Sequence, residues 1–361
     1  MVSGHGDAPP GAELTRVAAW CREQGWHADR YGDGALIAAF EARVAALLGK
    51  AAAVFMPSGT MAQQIALRIA CERAGNHHIA MHPTSHLELH EEHGYARLHS
   101  LRASLLGERD RPTAAHDLAA LAEEPAALLV ELPAREIGGR LPSWQELAAL
   151  SALAHERGIW RHMDGARLWE AREYYAPASH ADLAAQFDSV YVSFYKGIGA
   201  LAGAMLLGPE DFIAQARVWR RRQGGTLVQL HPFVASAAMR FDGQLAKMAA
   251  YRARAADFAR ALAGIDGLAV DPDPPQVNLF HLHCRAPAEA LTAARDRIAG
   301  EDGAWLAPRF VAGPAAQAAS AEIYVGDSLL AIDRGDDRAV LAPLYAKLMA
   351  LARVAAEGSP R

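Results

Sequence analysis

The stretch Asp188-Ser-Val-Tyr-Val-Ser-Phe-Tyr-Lys196-Gly-Ile-Gly-Ala-Leu-Ala-Gly-Ala-Met-Leu-Leu-Gly208 sets one lysine between two apolar runs. β-branched and aromatic residues cluster in Val190 to Phe194, which predicts a buried strand, and Ala204 to Leu207 predicts a second. Gly197, Gly199 and Gly203 let the intervening backbone turn tightly and approach a ligand. Burial disfavours a charged amine, so a lysine held there sheds its proton more easily and becomes a nucleophile, as Schiff-base chemistry requires. A surface lysine at the end of a hairpin fits this stretch equally well, and only the rest of the chain separates the two.

Upstream, Ile159 to Arg167 reads as a strand that ends in Asp164-Gly165-Ala166-Arg167. In parallel α/β sheets ligands collect at the carboxyl ends of strands. Asp164 is therefore a candidate partner for a ring nitrogen, and Arg167 for an anion. Further upstream, Ala51 to Met56 predicts a strand running into Pro57-Ser58-Gly59-Thr60, with a helix over Met61 to Ala74. A strand, a hydroxyl-bearing turn and a helix N-terminus make an anion cradle, although an ordinary N-cap needs the same residues. His77 to Met81 predicts a strand, followed by a segment that concentrates His82, His86, His90 and His93. Without a defined acid partner this is a weak metal-ligand set, and no metal site is assigned. A histidine stacked on a cofactor ring is the better functional reading.

Strands and helices alternate from about residue 36 to 208, which implies a mostly parallel sheet. Leu227 to Gly264 reads as largely helical. Strands are expected at Leu268–Val270, Gln276–Cys284, Ala304–Val311 and Ala321–Val325, with helices at Ala288–Gly300 and Arg338–Glu357. The expected organisation is a loosely attached N-terminus over 1–12, a large domain over 13–248 and a smaller α+β domain over 249–361.

The 361 residues are 52% hydrophobic and 21% charged, ordinary for a globular protein with a sizeable core. A net charge of −5 without a basic stripe argues against nucleic acid as a partner. Three scattered cysteines, Cys21, Cys71 and Cys284, suit a reducing compartment better than a disulfide framework. No signal peptide and no run of about 18 apolar residues is read in the chain, so the expectation is a cytoplasmic protein without a membrane partner.

The anion turn, the strand-end acid and the strand-end lysine follow one another in a workable order. Pyridoxal 5'-phosphate needs these parts: a phosphate cup, a carboxylate for the pyridine nitrogen and a Schiff-base lysine. His86 is available for the opposite ring face.

The same residues resemble the threonine aldolase/β-eliminating lyase group of fold-type-I PLP enzymes. The resemblance is carried by Tyr31-Gly32-Asp33, Phe55-Met-Pro-Ser58-Gly59-Thr60-Met-Ala-Gln63, Ser85-His86 with Glu91 following, and His162-Met-Asp164-Gly165-Ala166-Arg167. It continues through Tyr195-Lys196-Gly-Ile-Gly199, Trp219-Arg-Arg221 before Gly224-Gly225, and Asn278-Leu-Phe280. It implies a fold-type-I large domain and a small C-terminal domain. Lys196 would carry the cofactor, Asp164 would pair with the pyridine nitrogen, and Ser58, Gly59 and Thr60 would bind phosphate. His86 would stack on the ring, while Arg167, Tyr31 and Glu91 would lie toward the substrate. Arg221 would supply a basic group, often across a subunit boundary, in a homodimer or homotetramer with shared active sites.

Substrate-facing positions depart from the family pattern. The Ser-Asp-Thr strand expected at the N-terminus is missing, Val130-Glu131-Leu-Pro-Ala134-Arg135 stands where a histidine is usual, and Ala321–Asp327 lacks an arginine. Arg135, Arg140 or Arg309 could replace the lost carboxylate partner. The expected reaction is retro-aldol cleavage of a β-hydroxy-α-amino acid to glycine and an aldehyde, with His86 as the base and Glu91, His90 or His93 in reserve. β-Elimination, transamination or a non-catalytic PLP protein remain as alternatives.

Overall fold

A computed structural model describes residues 2–6, 9–315, 317–333 and 335–357. They divide into two compact units. One comprises residues 8–137 and 141–246, and the other residues 1–7, 138–140 and 247–361.

The larger unit is built on a seven-stranded sheet of β1 (Ala52–Met56), β2 (His78–Met81), β3 (Arg102–Leu105), β4 (Ala127–Glu131), β5 (Trp160–Gly165), β6 (Ser189–Ser193) and β7 (Ala204–Gly208). Their spatial order is β1-β7-β6-β5-β4-β2-β3. The pairs β3/β2, β2/β4, β4/β5 and β5/β6 are parallel, while β7 runs antiparallel to both β6 and β1. Every residue of β2, β6 and β7 is buried, as expected of strands covered on both faces. Helices Gly59–Ala74 and Glu210–Arg222 cover one face through a core of Ile65, Ile69, Phe212 and Ile213.

β1 lies at an edge of the sheet, and side chains take up three of the backbone groups that face away from β7. Phe55 N–H donates to Glu41 Oε1 at 2.7 Å. Arg217 Nη2 donates to the Ala53 carbonyl at 2.9 Å, and Arg220 Nη1 to the Phe55 carbonyl at 2.8 Å. Arg217 also pairs with Glu41. Arg220 is 5% exposed and Glu41 7%, so these bonds replace water that cannot reach the strand. The strand that delivers Ser58 and Gly59 is thereby fixed.

A second anchor joins the helix Gly59–Ala74 to the sheet. His162 is fully buried, with Nε2 2.7 Å from Gln63 Oε1 and Nδ1 2.8 Å from Ser189 Oγ. Burial pulls its pKa down to about 3, so the ring is neutral, with the proton on Nε2 facing the amide oxygen.

The smaller unit holds an antiparallel sheet in the order β10-β11-β9-β8, formed by β8 (Leu268–Asp271), β9 (Leu279–Cys284), β10 (Val311–Ala312) and β11 (Ala319–Tyr324). Phe258, Phe280, Ile323, Tyr345 and Leu348 lie in its core. Three expectations need correction. Residues 2–6 are not loosely attached: Val2 is 2% exposed, and Gly4 N–H donates to the Tyr324 carbonyl at 2.7 Å. Pro10 already opens a helix to Gln24, while residues 1, 7 and 8 lie outside the described set. The strand read over Ala304–Val311 shrinks to Val311–Ala312. Side chains bind its backbone instead, with Arg295 donating to the Pro308 carbonyl at 2.8 Å and Tyr345 Oη to the Leu306 carbonyl at 2.5 Å. Finally, the 20-residue closing helical run Asp337–Ala356 is long and apolar enough to cross a membrane by length and composition. One stripe of it, Leu341, Tyr345, Leu348, Met349 and Ala352, is buried in the unit's core at helical spacing.

Removing the buried guanidinium of Arg220 leaves the Phe55 carbonyl without its donor. Arg220→Ala is expected to destabilise the chain by about 1–3 kcal/mol, read as a lower urea midpoint at constant slope.

Candidate active site

Because β1, β2, β4, β5 and β6 point the same way, the segments that leave their carboxyl ends meet along one edge. β1 is followed by Ser58, β2 by the loop to His86, β5 ends at Asp164-Gly165, and β6 runs on to Lys196. Gly59, Thr60, Gln63, His86, Glu91, Asp164, Ala166, Tyr191, Tyr195 and Lys196 line one cavity there.

Ser58 caps the helix Gly59–Ala74, accepting the Met61 N–H at 3.3 Å. That leaves the other N–H groups of the first turn and the exposed Thr60 hydroxyl for an anion. Gly59 is required here, since a Cβ would overlap the Tyr191 hydroxyl. Asp164 is 2% exposed and accepts the Ala166 N–H at 3.0 Å. Burial raises its proton affinity, while the nearby Lys196 charge lowers it.

Lys196 is partly buried, with Nζ 5.8 Å from the centre of the Tyr195 ring. Loss of water lowers its pKa, and the Arg167 charge lowers it further, against the opposing pull of Asp164, Glu131 and Glu170. The turn holding it closes through Gly199 N–H to the Lys196 carbonyl at 2.9 Å. Gly197 fits only without a side chain, because a Cβ would strike the Glu170 carboxyl. The hairpin-end alternative for Lys196 is half right: the lysine does follow a strand paired to β7, but it faces a cavity.

His86 starts the short helix His86–Leu89, its Nδ1 3.1 Å from Glu91 Oε1. The Glu91 side chain is 2% exposed, and its other oxygen accepts from Gln64 Nε2 at 3.2 Å. A carboxylate can only accept, so it holds the imidazole proton on Nδ1 and leaves Nε2 as the basic nitrogen. His90 lies beside His86, ring centres 5.1 Å apart, and bonds Glu136 at 2.9 Å. His93 lies 3.5 Å from Glu88.

Other sequence candidates fall elsewhere. Tyr31 is 58% exposed in a turn fixed by Asp29, which accepts N–H groups from Gly32, Leu230 and His231. Arg221 is exposed, and neither residue lines the cavity. Arg140 pairs with Asp271, Arg135 with Glu136, and Arg309 belongs to the smaller unit. The sequence reading missed Gln63, Tyr191 and Tyr195, which line the cavity, and Glu131 on the neighbouring strand end. Glu131 ends β4 in register with Asp164, and the strand-end logic that found Asp164 would have found it too.

The sequence model of the beta-eliminating lyase family matches residues 24–285. The chain belongs to that family. It is 39% identical to a Listeria monocytogenes protein of solved structure assigned as an L-allo-threonine aldolase, covering 98% of this chain and 95% of that one with a TM-score of 0.89. It is 30% identical over 273 residues to the low specificity L-threonine aldolase of Escherichia coli O157:H7, spanning 73% of this chain and 81% of that protein. An aldolase of Penicillium aethiopicum is 36% identical over 227 residues, 59% of this chain. The match spans 57% of that aldolase and 58% of a Caenorhabditis elegans relative, little more than half the length of each. The architecture is that of fold-type-I PLP enzymes, and pyridoxal 5'-phosphate is the family's cofactor. The residues present fit it: a helix N-terminus for a phosphate, a carboxylate for a ring nitrogen, an amine of lowered basicity for an aldehyde, and a flat imidazole on the wall.

A Cβ at residue 59 would displace Tyr191 and close the cradle. Gly59→Ala is expected to weaken pyridoxal 5'-phosphate binding at least about tenfold, measured by equilibrium dialysis, with the helical content of the chain retained.

Proposed function

We propose that this chain is a PLP-dependent carbon–carbon lyase that cleaves a β-hydroxy-α-amino acid of the threonine or allo-threonine kind to glycine and an aldehyde. The observation that carries the reading is a single cavity lined by Lys196, Asp164, His86 and the helix N-terminus at Gly59 and Thr60. Kinship with the threonine aldolases supports it.

When bound, pyridoxal 5'-phosphate draws electrons from the α-carbon of an attached amino acid, so that a bond to that carbon can break. Lys196 would supply the amine for the cofactor's aldehyde, and loss of water shifts it toward the neutral, nucleophilic form. Asp164 would hold the pyridine nitrogen in its protonated form. The first turn of the helix Gly59–Ala74, with Ser58 and Thr60, would hold the phosphate. Arg167, whose charge already reaches Lys196 and Tyr195, receives the substrate carboxylate. His86 takes the β-hydroxyl proton on Nε2 as the Cα–Cβ bond opens, and Glu91 steadies the imidazolium that results. Arg221 and Tyr31, exposed on the single chain, serve a neighbouring subunit's site in a homodimer or homotetramer. A cytoplasmic location completes the reading, in keeping with the free cysteines Cys21, Cys71 and Cys284.

The purified chain, loaded with pyridoxal 5'-phosphate, is expected to be yellow, to bleach with borohydride and to release glycine from threonine or allo-threonine. Lys196→Ala should lose both the reducible colour and glycine release. His86→Ala should keep the colour while turnover falls by about 10²–10⁴. Ammonia and a keto acid in place of glycine and an aldehyde would replace the retro-aldol reading with β-elimination.

A further inference from the structure

Glu131 and Asp164 end neighbouring parallel strands, and their Cα atoms are register partners between β4 and β5. The row continues to Tyr191 on β6, so the side chains of Glu131, Asp164 and Tyr191 project from the same face of the sheet. Asp164 lines the cavity with Lys196. Glu131 lines an adjoining recess along the carboxyl edge with His82, Thr113, Val130, Ala134 and Pro142. The mechanism above gives Asp164 a task and Glu131 none.

Asp164 is buried and Glu131 partly buried; two carboxyls at neighbouring register positions do not both ionise readily, and such a pair shares protons unevenly. Burial raises the proton affinity of Glu131 well above that of an ordinary carboxyl, and the Asp164 charge adds to the rise. The Arg135 N–H at 3.2 Å from Oε1 and the charges of Lys196 and His86 oppose it. His82, the other titratable group of the recess, is held neutral. Its Nε2 faces the Glu108 and Arg111 carbonyls at 2.8 and 2.9 Å, while its Nδ1 accepts the Thr84 N–H at 3.1 Å. The positive charges that act on both carboxyls are those of Lys196 and His86, while Glu91 adds a negative charge near Asp164. A protonated pyridine nitrogen would fix the negative charge on Asp164, which leaves the proton to Glu131.

We propose that Glu131 is a positioning residue for the Lys196 linkage: it keeps a proton while Asp164 is the anion, and on ionising it holds the Lys196 nitrogen protonated. The inference rests on the PLP reading above. It makes Glu131 a sensor that couples the protonation of the linkage to pH through a group outside the cofactor's own contacts.

The test loads the full chain with pyridoxal 5'-phosphate and follows its visible absorbance from about pH 6 to about pH 9. The unaltered chain is expected to show two overlapping ionisations. Glu131→Gln should show one, with its midpoint lower by about one pH unit, because a negative charge that favours the protonated nitrogen is gone. Glu131→Asp, which keeps the carboxyl, should restore the second. An independent reading needs no variant. The infrared spectrum of the loaded chain should contain a protonated-carboxyl stretch at low pH that disappears as pH rises through the range. Identical titrations of the unaltered chain and Glu131→Gln, or the lack of that stretch, overturn the inference alone. Failure of the unaltered chain to develop a visible band overturns the proposed function with it.

Discussion

Strand direction is the constraint on which this site depends. Five strands of the larger unit that carry or lead to site residues point the same way, so the sheet gathers their carboxyl ends on one edge without any of those residues being close in sequence. Lys196 joins that set because it follows the carboxyl end of β6, and the reversed strand β7 keeps the connection there. Since β7 is antiparallel to β6, the connection between them is short and stays at the carboxyl end of β6, and the lysine on it faces the same edge as Ser58, His86 and Asp164.

The electrostatics of the edge follow from burial more than from any single pair. Lys196, Arg167 and His86 share the space with Asp164, Glu131, Glu91 and Glu170, and water is largely excluded from the carboxylates Asp164 and Glu170. Desolvation is the leading cause of the shifts at both Lys196 and Asp164, and it pushes each toward its neutral form. Their mutual attraction pulls each back. An amine and a carboxyl poised in this way accept a ligand carrying both an aldehyde and a basic nitrogen at little cost in desolvation, because much of that cost was met on folding.

Much of this was legible in the chain. Period and composition located the main strands of the large sheet, because fully buried parallel strands are continuous apolar runs such as Val190–Phe194. The motif order located Ser58, Gly59, Thr60, Asp164 and Lys196, since each lies next to a strand end that local sequence marks. Glu131 was passed over because its importance comes from register with Asp164, and register between strands is not written in either strand alone. The fixation of β1 was invisible for a similar reason: Glu41 and Arg217 are 176 residues apart and look like ordinary helix-surface charges until the fold brings them together. The segment Ala304–Val311 misled in the opposite direction. Leu306, Ala307 and Phe310 are buried without a strand's alternation, Pro308 has no N–H to donate, and Arg295 and Tyr345 take the segment's carbonyls.

The bonds that hold β1 have a consequence beyond the site. An edge strand normally presents a row of free N–H and C=O groups, a template on which another chain can lay a strand of its own. Along β1 the Phe55 N–H and the Ala53 and Phe55 carbonyls are already occupied by Glu41, Arg217 and Arg220. A foreign strand would have to displace the buried Glu41 and Arg220 and the exposed Arg217 from these groups. Those bonds disfavour growth of the sheet along this margin, because each occupied group must be freed before it can pair with a new strand.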